Sequence, residues 1–418
     1  MAMPVEPTPD IPASSPLDGA RFPRLALHVG MGQSLMAGVG HRNERQTHAP
    51  IAAGRAVSVR RIRDPRHLQP DDVFQLLIDT GMRNGPETPL IQAAANLLPA
   101  LDADESLLSM NLGRGGFNFA QLKKNGTEAV YENWLRALEL HHHRARTNGM
   151  TLTRLFVSWI HGHACRARRA RDYQAEMEVL LADLAADFEK HVPDGTTLMC
   201  VSQLACSDNL YRFAVSLAQF HAARDNPRII MACPEYPIQR VDGTHMTGAG
   251  YAMLGAWHGR ALRKTVQAGA KWWPLHMSCA VRNGATIAVT FAGGEGELTF
   301  DSYSPDQGAV VTGARRLPFA GFSWAQTGGE PQEIAGVEII GPRQITVALT
   351  GDPAEATGKL ILGHTPAAAR RCEGFIEGDP RTATGGATNI RTVGTDTDAW
   401  GRLLHDWAVL QEIDVKGA

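Results

Sequence analysis

The chain lacks a dominant charge of either sign and any long apolar run. Its 41 Lys and Arg residues nearly balance 43 Asp and Glu residues, for a net charge of −2. This balance argues against nucleic acid or anionic lipid as a partner, because both select strongly basic surfaces. No uncharged apolar stretch approaches the roughly 20 residues that a membrane-spanning helix needs, so no membrane insertion is expected. A small neutral ligand or a polysaccharide fits this composition better.

Paired cysteines and a secretory signal are also missing. Neither the spacing of a zinc or redox site nor the density of a disulfide framework is present. The six cysteines are Cys165, Cys200, Cys206, Cys233, Cys279 and Cys372, and buried thiols are expected. The first twenty residues contain five prolines, no Lys or Arg and no apolar core, which predicts a flexible arm over 1–23. The sequence predicts a soluble protein without a signal peptide.

Residues 24–270 alternate short apolar runs with longer segments of helical periodicity. This pattern predicts an α/β domain with a five-stranded parallel sheet and helices on both faces. The candidate strands are 24–30, 107–112, 154–160, 197–204 and 228–233. The candidate helices are 89–101, 128–146, 173–191, 209–225 and a last one from Thr247 past Ala261, with Thr247 as its N-cap.

Residues 271–418 show a different pattern and predict a second, all-β domain resembling a sandwich. Short alternating runs are separated by Gly, Pro and Asp clusters, with no convincing helix between them. The runs are 286–291, 297–300, 309–312, 337–341, 344–349 and 359–363. The tail from about residue 381 fits neither strand nor helix clearly, so its structure is left open.

A serine stands on a glycine-rich turn where the first predicted strand ends. Ser34 lies in the run GMGQSLMAG, at the carboxyl end of a strand, where α/β sheets bind ligands. Its backbone N–H, at the start of a predicted helix, would point at a developing oxyanion. An ordinary serine N-cap on a Gly-rich turn explains this segment equally well.

Asp242 and His245 lie between the last predicted strand and the last predicted helix. From that loop His245 could accept the proton of Ser34, and Asp242 could orient the imidazole. Such a pair is more commonly a solvated loop aspartate followed by a histidine that caps a helix. The order of the blocks, serine after the first strand and Asp with His after the last, favours a catalytic triad.

The blocks GQSLMAG and DGTHMTGAGYAMLG resemble those of the SGNH hydrolases, most closely the sialate O-acetylesterase-like carbohydrate esterases. The resemblance covers roughly the first 270 residues, and many relatives append a β-sandwich. It implies a carboxylic ester hydrolase with Ser34 as nucleophile, His245 as base and Asp242 as the orienting residue. The implied substrate is a short-chain O-acyl ester, most often O-acetyl, on a polysaccharide or glycan. The implied mechanism needs no cofactor.

A second block, NLGRGG, follows the second predicted strand. It resembles the family block whose glycine supplies an oxyanion N–H beside that of the nucleophile. Gly115 matches that position, and Gly116 is the alternative. A Gly-rich turn of the kind that every doubly wound sheet contains is the simpler explanation.

A third block, WIHGHAC, departs from the family pattern. Ala164 occupies the place of an asparagine whose side chain completes the oxyanion hole, and losing one such donor typically costs about 10² to 10³ in rate. Either His161 or His163 substitutes, the backbone N–H groups suffice, or the enzyme is weak. Gln33 and Gly162 complete this candidate substrate or oxyanion loop. The two histidines share a strand face, but no third ligand has a suitable spacing, so no metal is predicted.

A competing interpretation is a carbohydrate-binding or attachment protein that kept the fold and lost most catalysis. Ala164 and the all-β domain motivate it. Location is open as well, because acetylated envelope polysaccharide lies outside the cell while no export signal is present. The protein could be cytoplasmic, or it could be carried on a phage-like particle as a component or homo-oligomer.

Overall fold

The computed structural model describes residues 19–39, 55–59, 74–76, 88–165, 169–205, 213–241, 244–301, 317–353, 357–363, 387–394 and 396–417. Within these ranges the chain forms one α/β unit followed by several smaller β-sheets. The predicted fold class, a parallel sheet with helices and a C-terminal all-β region, is confirmed.

Within the described ranges, seven strands form the main sheet, in the order β3-β2-β4-β1-β5-β6-β7. They are β1 (Arg24–Gly32), β2 (Ala56–Val59), β3 (Phe74–Leu76), β4 (Glu105–Asn111), β5 (Thr151–Ile160), β6 (Thr196–Gln203) and β7 (Ile229–Pro234). All neighbours are parallel except β2 and β3. The five predicted strands are β1, β4, β5, β6 and β7. The sequence missed β2 and β3 because runs of four and three residues are too short to show a period.

Helices cover both faces of this sheet, as predicted. They are α1 (Pro89–Leu97), α2 (Phe119–Leu122), α3 (Val130–Thr147), α4 (Ala170–Glu189), α5 (Phe213–Asp225) and α6 (Gly248–Ala268). Helices α3, α4 and α5 share one apolar core with Leu25, Leu27 and Val29, while α1 and α6 share the other with Ala26. Alternate residues of β1 therefore face opposite layers. None of the helices in the described ranges combines the length and the apolar character of a membrane span.

Helix α6 begins where the sequence predicted. The Thr247 side chain accepts a hydrogen bond from the Gly250 N–H at 3.0 Å, which is the N-cap interaction. The helix ends at Ala268, and its C-cap, Gly269, has a left-handed φ of 61° that stops the helical run. Residues next to the helix thus determine both of its ends. Because α6 starts after Thr247, the preceding loop must end there.

The C-terminal region contains three further sheets in its described part. Their strands are β8 (His276–Asn283), β9 (Thr286–Ala292), β10 (Leu298–Phe300), β11 (Phe322–Thr327), β12 (Ile334–Gly341), β13 (Gln344–Leu349), β14 (Thr357–Leu362), β15 (Ile390–Thr392), β16 (Gln411–Asp414) and β17 (Lys416–Gly417). The sheets are β12-β13-β9-β8-β17, β11-β14-β16 and β10-β15, and they enclose a common apolar core. The predicted run 309–312 lies outside the described residues.

The tail returns to the main sheet after β15. Gln203, at the end of β6, accepts a hydrogen bond from the Leu410 N–H at 2.6 Å and donates to its carbonyl at 2.7 Å. The Tyr236 hydroxyl donates to the Ala408 carbonyl at 2.7 Å. The segment before β16 is largely irregular yet buried, which explains why its sequence shows neither a helical nor a strand period.

Strand β1 lies between β4 and β5: the strands β2 to β4 were added on one side of β1, and β5 to β7 on the other, so the strand order reverses at β1. Parallel α/β sheets bind ligands in the crevice beyond the carboxyl ends of the strands at such a reversal. The loops that follow β1, β4 and β5 meet at this edge, and they carry the three sequence blocks.

Candidate active site

Ser34 follows β1 on a turn that is held against β5. The Gln33 N–H donates to the Ile160 carbonyl at 3.0 Å. Gly32 has a φ of 127°, and a side chain there would press on that same carbonyl, so this position favours glycine. From Ser34 the chain makes successive turns that end at Gly38, with a φ of 69°. The helix predicted to begin at Ser34 does not form, because this left-handed residue redirects the chain within one turn.

The structure brings Ser34 and His245 together. The Nε2 atom of His245 lies 3.1 Å from the Oγ atom of Ser34, inside the range for proton transfer to a general base. The Val241 N–H donates to the His245 carbonyl at 2.9 Å. Arg240 and Met246 form an isolated antiparallel β-bridge. His245 therefore stands in a small closed loop rather than on a free segment.

This loop must cross the sheet to reach the serine. It leaves β7, which is three strands away from β1, or about 14 Å at the usual strand spacing. Asp242, the predicted third member of the triad, lies outside the described residues together with Gly243. Its role stays a prediction.

Two backbone N–H groups, those of Ser34 and Gly115, have no acceptor among the described residues. The loop after β4 is tied to β1 by the Arg114 N–H, which donates to the Gly32 carbonyl at 2.9 Å. A Cβ atom on Gly115 would lie 3.9 Å from the Cβ atom of Ser34, whereas one on Gly116 would meet nothing within 4 Å. Among the described residues no acceptor engages the N–H of Ser34 or of Gly115. Gly115 is thus the nearer of the two glycine candidates.

Asn111 joins the β1 and β4 loops, a role that the sequence did not suggest. Its Nδ2 donates to the Met36 carbonyl at 2.8 Å, and its Oδ1 accepts from the Gly113 N–H at 3.0 Å. One side chain at the end of β4 therefore fixes both loops that carry candidate oxyanion donors. The sequence signal that could have indicated this role is a polar residue at the end of a buried strand, directly before a Gly-rich run.

In the third block, the backbone N–H of Ala164 forms a hydrogen bond with the side chain of Gln33. The Ala164 N–H donates to Oε1 of Gln33 at 3.2 Å, which sets the orientation of that amide. The Nε2 group of Gln33 then has no acceptor among the described residues, although it belongs to the residue just before Ser34. The residue next to Ser34 in the chain therefore carries a side-chain amide donor that engages no acceptor among the described residues.

Neither histidine of the third block presents a donor to the serine. His161 is buried, donates from Nε2 to the Phe117 carbonyl at 3.1 Å and accepts at Nδ1 from the Tyr173 hydroxyl at 3.0 Å. Burial lowers the pKa of His161 to about 3, so the ring is neutral. Both ring nitrogens of His163 are also buried. Gly162, between them, has a φ of 131°. Of the three alternatives for the missing asparagine, substitution by a histidine is the one that these contacts do not favour.

A buried charged cluster behind the loop escaped the sequence analysis. The Glu235 carboxylate accepts a hydrogen bond from the Ser202 hydroxyl at 2.8 Å and lies 3.4 Å from both Arg240 Nη2 and His163 Nε2. The contact with His163 does not meet the geometry of a hydrogen bond. Burial raises the pKa of Glu235, but the positive groups and the hydroxyl outweigh it and hold that pKa below its ordinary value.

Several solved structures resemble the chain. A carbohydrate acetylesterase from Xanthomonas citri superposes with a TM-score of 0.55 at 13% identity, over 93% of this chain and 80% of that one. A protein named NanS reaches 0.38 at 11% identity, over 61% and 97%. A carbohydrate esterase family 2 enzyme of Corynascus thermopiles (Myceliophthora fergusii) with a carbohydrate binding domain reaches 0.31 at 12%, over 63% and 69%.

Only the first of these TM-scores exceeds 0.5, and at 13% identity it shows a shared fold. No family profile matches the sequence, and no curated protein matches it. The fold that the sequence blocks implied is therefore found again in a solved structure, over nearly the whole chain.

Proposed function

We propose that the protein is a serine esterase that hydrolyses short-chain O-acyl esters, most often O-acetyl, on a carbohydrate. The contact of 3.1 Å between Ser34 Oγ and His245 Nε2 at the carboxyl edge of the sheet carries this proposal. A histidine at this distance can activate a serine hydroxyl that is otherwise a weak nucleophile. The fold shared with a carbohydrate acetylesterase supports the choice of substrate class.

In the proposed mechanism Ser34 Oγ attacks the ester carbonyl while His245 accepts the hydroxyl proton. The ester C–O bond then breaks, and His245 gives this proton to the departing sugar oxygen, which leaves as a hydroxyl while Ser34 keeps the acyl group. Water, activated by the same imidazole, attacks the acyl-enzyme and releases the carboxylic acid. Asp242 would hold the imidazole in the tautomer that leaves Nε2 free to accept.

Charge on the carbonyl oxygen needs donors that are already in place. The N–H groups of Ser34 and Gly115 and the Nε2 group of Gln33 have no acceptor among the described residues and could serve as these donors. Such preorganised donors stabilise the oxyanion without reorganisation during the reaction. We propose that Gln33 supplies the side-chain donor that Ala164 lacks.

The second candidate function is a carbohydrate-binding protein with little catalysis. It is favoured by Ala164 and by the burial of both histidines in the third block. If Gln33 does not compensate, loss of one donor would reduce turnover by about 10² to 10³. The same chain would then still bind glycan through the loops at this edge.

Turnover of p-nitrophenyl acetate by the wild type and by Ser34→Ala tests the proposal. Removing the nucleophile of a triad enzyme lowers kcat by roughly 10⁴-fold or more. Ser278→Ala, on the exposed face of β8, is the matched control and should keep wild-type kcat. Acetate release from acetylated polysaccharide, followed in parallel, tests the substrate class.

Equal turnover by the wild type and Ser34→Ala would exclude Ser34 as nucleophile. Glycan binding without turnover by either would favour the second candidate function.

A further inference from the structure

The charged cluster behind the site is fully enclosed and connects to both reacting groups. Glu235 and Ser202 have almost no solvent exposure, and Arg240 is 8% exposed. Glu235 follows β7 directly, and its N–H donates to the Gln203 carbonyl at 2.9 Å, which continues the pairing of β7 with β6. The carboxylate is therefore held by the sheet itself rather than by a loose loop.

One arm of the cluster reaches the loop of His245. Arg240 Nη2 donates to the carbonyls of Ala205 at 2.8 Å and Glu235 at 3.3 Å. Its Nη1 makes a long hydrogen bond of 3.5 Å to the carbonyl of Thr244, the residue just before His245. The planar guanidinium can serve these acceptors together because its donors form a rigid fork.

The other arm reaches the segment of Ser34. His163, 3.4 Å from the Glu235 carboxylate, directly precedes Ala164. The Ala164 N–H holds the side chain of Gln33, which precedes Ser34. The same buried carboxylate thus lies between the segment that carries the nucleophile and the loop that carries the base.

We propose that Glu235 and Arg240 are positioning residues, whose buried ion pair sets the distance between Ser34 and His245. The inference rests on the proposed esterase function and deepens it. A buried charge whose partner is removed is strongly unfavourable, so the loop would move to relieve it. Displacement of a reacting group by about 1 Å can cost 10²-fold in rate.

Glu235→Gln and Arg240→Lys test the proposal. Glu235→Gln keeps the side-chain size and an acceptor for Ser202 but removes the charge. Arg240→Lys keeps the charge, but one ammonium cannot serve Ala205, Glu235 and Thr244 together. We expect kcat for p-nitrophenyl acetate to fall about 10- to 100-fold in both, with KM within about twofold.

Asp406→Asn is the matched control. It also breaks a fully buried ion pair, that of Arg260 with Asp406, which joins α6 to the tail and does not contact the loop of His245. It should lower Tm while leaving kcat near the wild-type value. Arg240→Lys should have a higher Tm than Arg240→Met. Its kcat should nevertheless be no higher than that of Arg240→Met.

A second measurement is independent of turnover. The imidazole NMR signals of His245, assigned by their loss in His245→Gln, should shift in Glu235→Gln and Arg240→Lys and stay unchanged in Asp406→Asn. If kcat and these signals in Glu235→Gln match those of Asp406→Asn, the positioning role is wrong. If the wild type shows no turnover but the signals shift as expected, the positioning role stands and the esterase function fails.

Discussion

At the residue scale, the most unusual feature is a set of buried, neutral histidines in the α/β core. His28 on β1 is hydrogen bonded to the hydroxyls of Ser109 at 3.2 Å and Ser158 at 2.9 Å. His258 on α6 has no hydrogen-bond partner at either ring nitrogen within the described part of the chain. Burial lowers the pKa of His28 to about 3 and that of His258 to about 4.

These lowered pKa values make stability depend on pH in a defined direction. The unfolded chain binds protons at His28 and His258 below about pH 6.5, while the folded chain does not until about pH 4 or 3. The contribution of these two histidines to stability is therefore fully present above about pH 6.5. It falls as the pH decreases from there toward the folded-state pKa values of about 4 and 3. Each group contributes a loss of about 1.4 kcal/mol per pH unit there.

His258→Leu should remove one part of this dependence. We expect the difference in unfolding free energy, variant minus wild type, to be about 2 kcal/mol more favourable at pH 5 than at pH 8. Urea unfolding at both pH values measures it. His143→Leu, an exposed position on α3, is the control and should show the same difference at both. A pH-independent result for His258→Leu would mean that His258 does not titrate with unfolding.

At the element scale, α6 matters because it starts directly after the loop of His245. It packs closely on α1, and Gly255 and Gly259 make this approach feasible. A Cβ atom on Gly255 would meet the Pro89 carbonyl, and one on Gly259 would meet the Ala93 carbonyl. Backbone oxygens cannot swing away as a long side chain can, so the contact requires glycine rather than merely a small residue.

Gly255→Ala tests this packing. Alanine gains about 1 kcal/mol in helix propensity, but overpacking against backbone typically costs about 1–3 kcal/mol, and the clash should win. We expect a lower midpoint of urea unfolding with an unchanged m value. Gly336→Ala on β12, where a Cβ would meet nothing within 4 Å, should be nearly neutral. A stabilised Gly255→Ala would show that α1 and α6 can separate without loss.

At the scale of the whole molecule, the tail unites the two regions. Leu404, Trp407 and Leu410 belong to the same apolar core as α1 and α6, although β16 and β17, which follow, belong to the C-terminal sheets. The hydrogen bonds of Gln203 with Leu410 satisfy buried backbone groups that would otherwise be unpaired.

Gln203→Leu should therefore destabilise the entire chain. Leaving the Leu410 N–H and carbonyl unpaired costs about 1–3 kcal/mol for each group. Urea unfolding followed by tryptophan fluorescence and by circular dichroism should show one transition, shifted to lower urea. Glu412→Gln, which breaks the exposed ion pair with Lys359, should change stability by less than about 1 kcal/mol. Two separate transitions in Gln203→Leu would show that the regions unfold independently.

The sequence by itself determined the five long strands, the main helices and the cap of α6. Apolar runs, helical periods and capping residues act between near neighbours, so they can be read without knowing the fold. It also placed Ser34 and His245 at the same sheet edge, because residues that follow parallel strands meet there.

Only the tertiary structure decided which of those residues meet. The contact of Ser34 with His245 joins residues 211 positions apart and depends on the path of the loop that crosses from β7. His161 turned into the core because Tyr173 and the Phe117 carbonyl satisfy it there, which no local pattern shows. The ion pair of Glu235 with Arg240 and the return of the tail likewise depend on burial, and burial is a property of the whole fold.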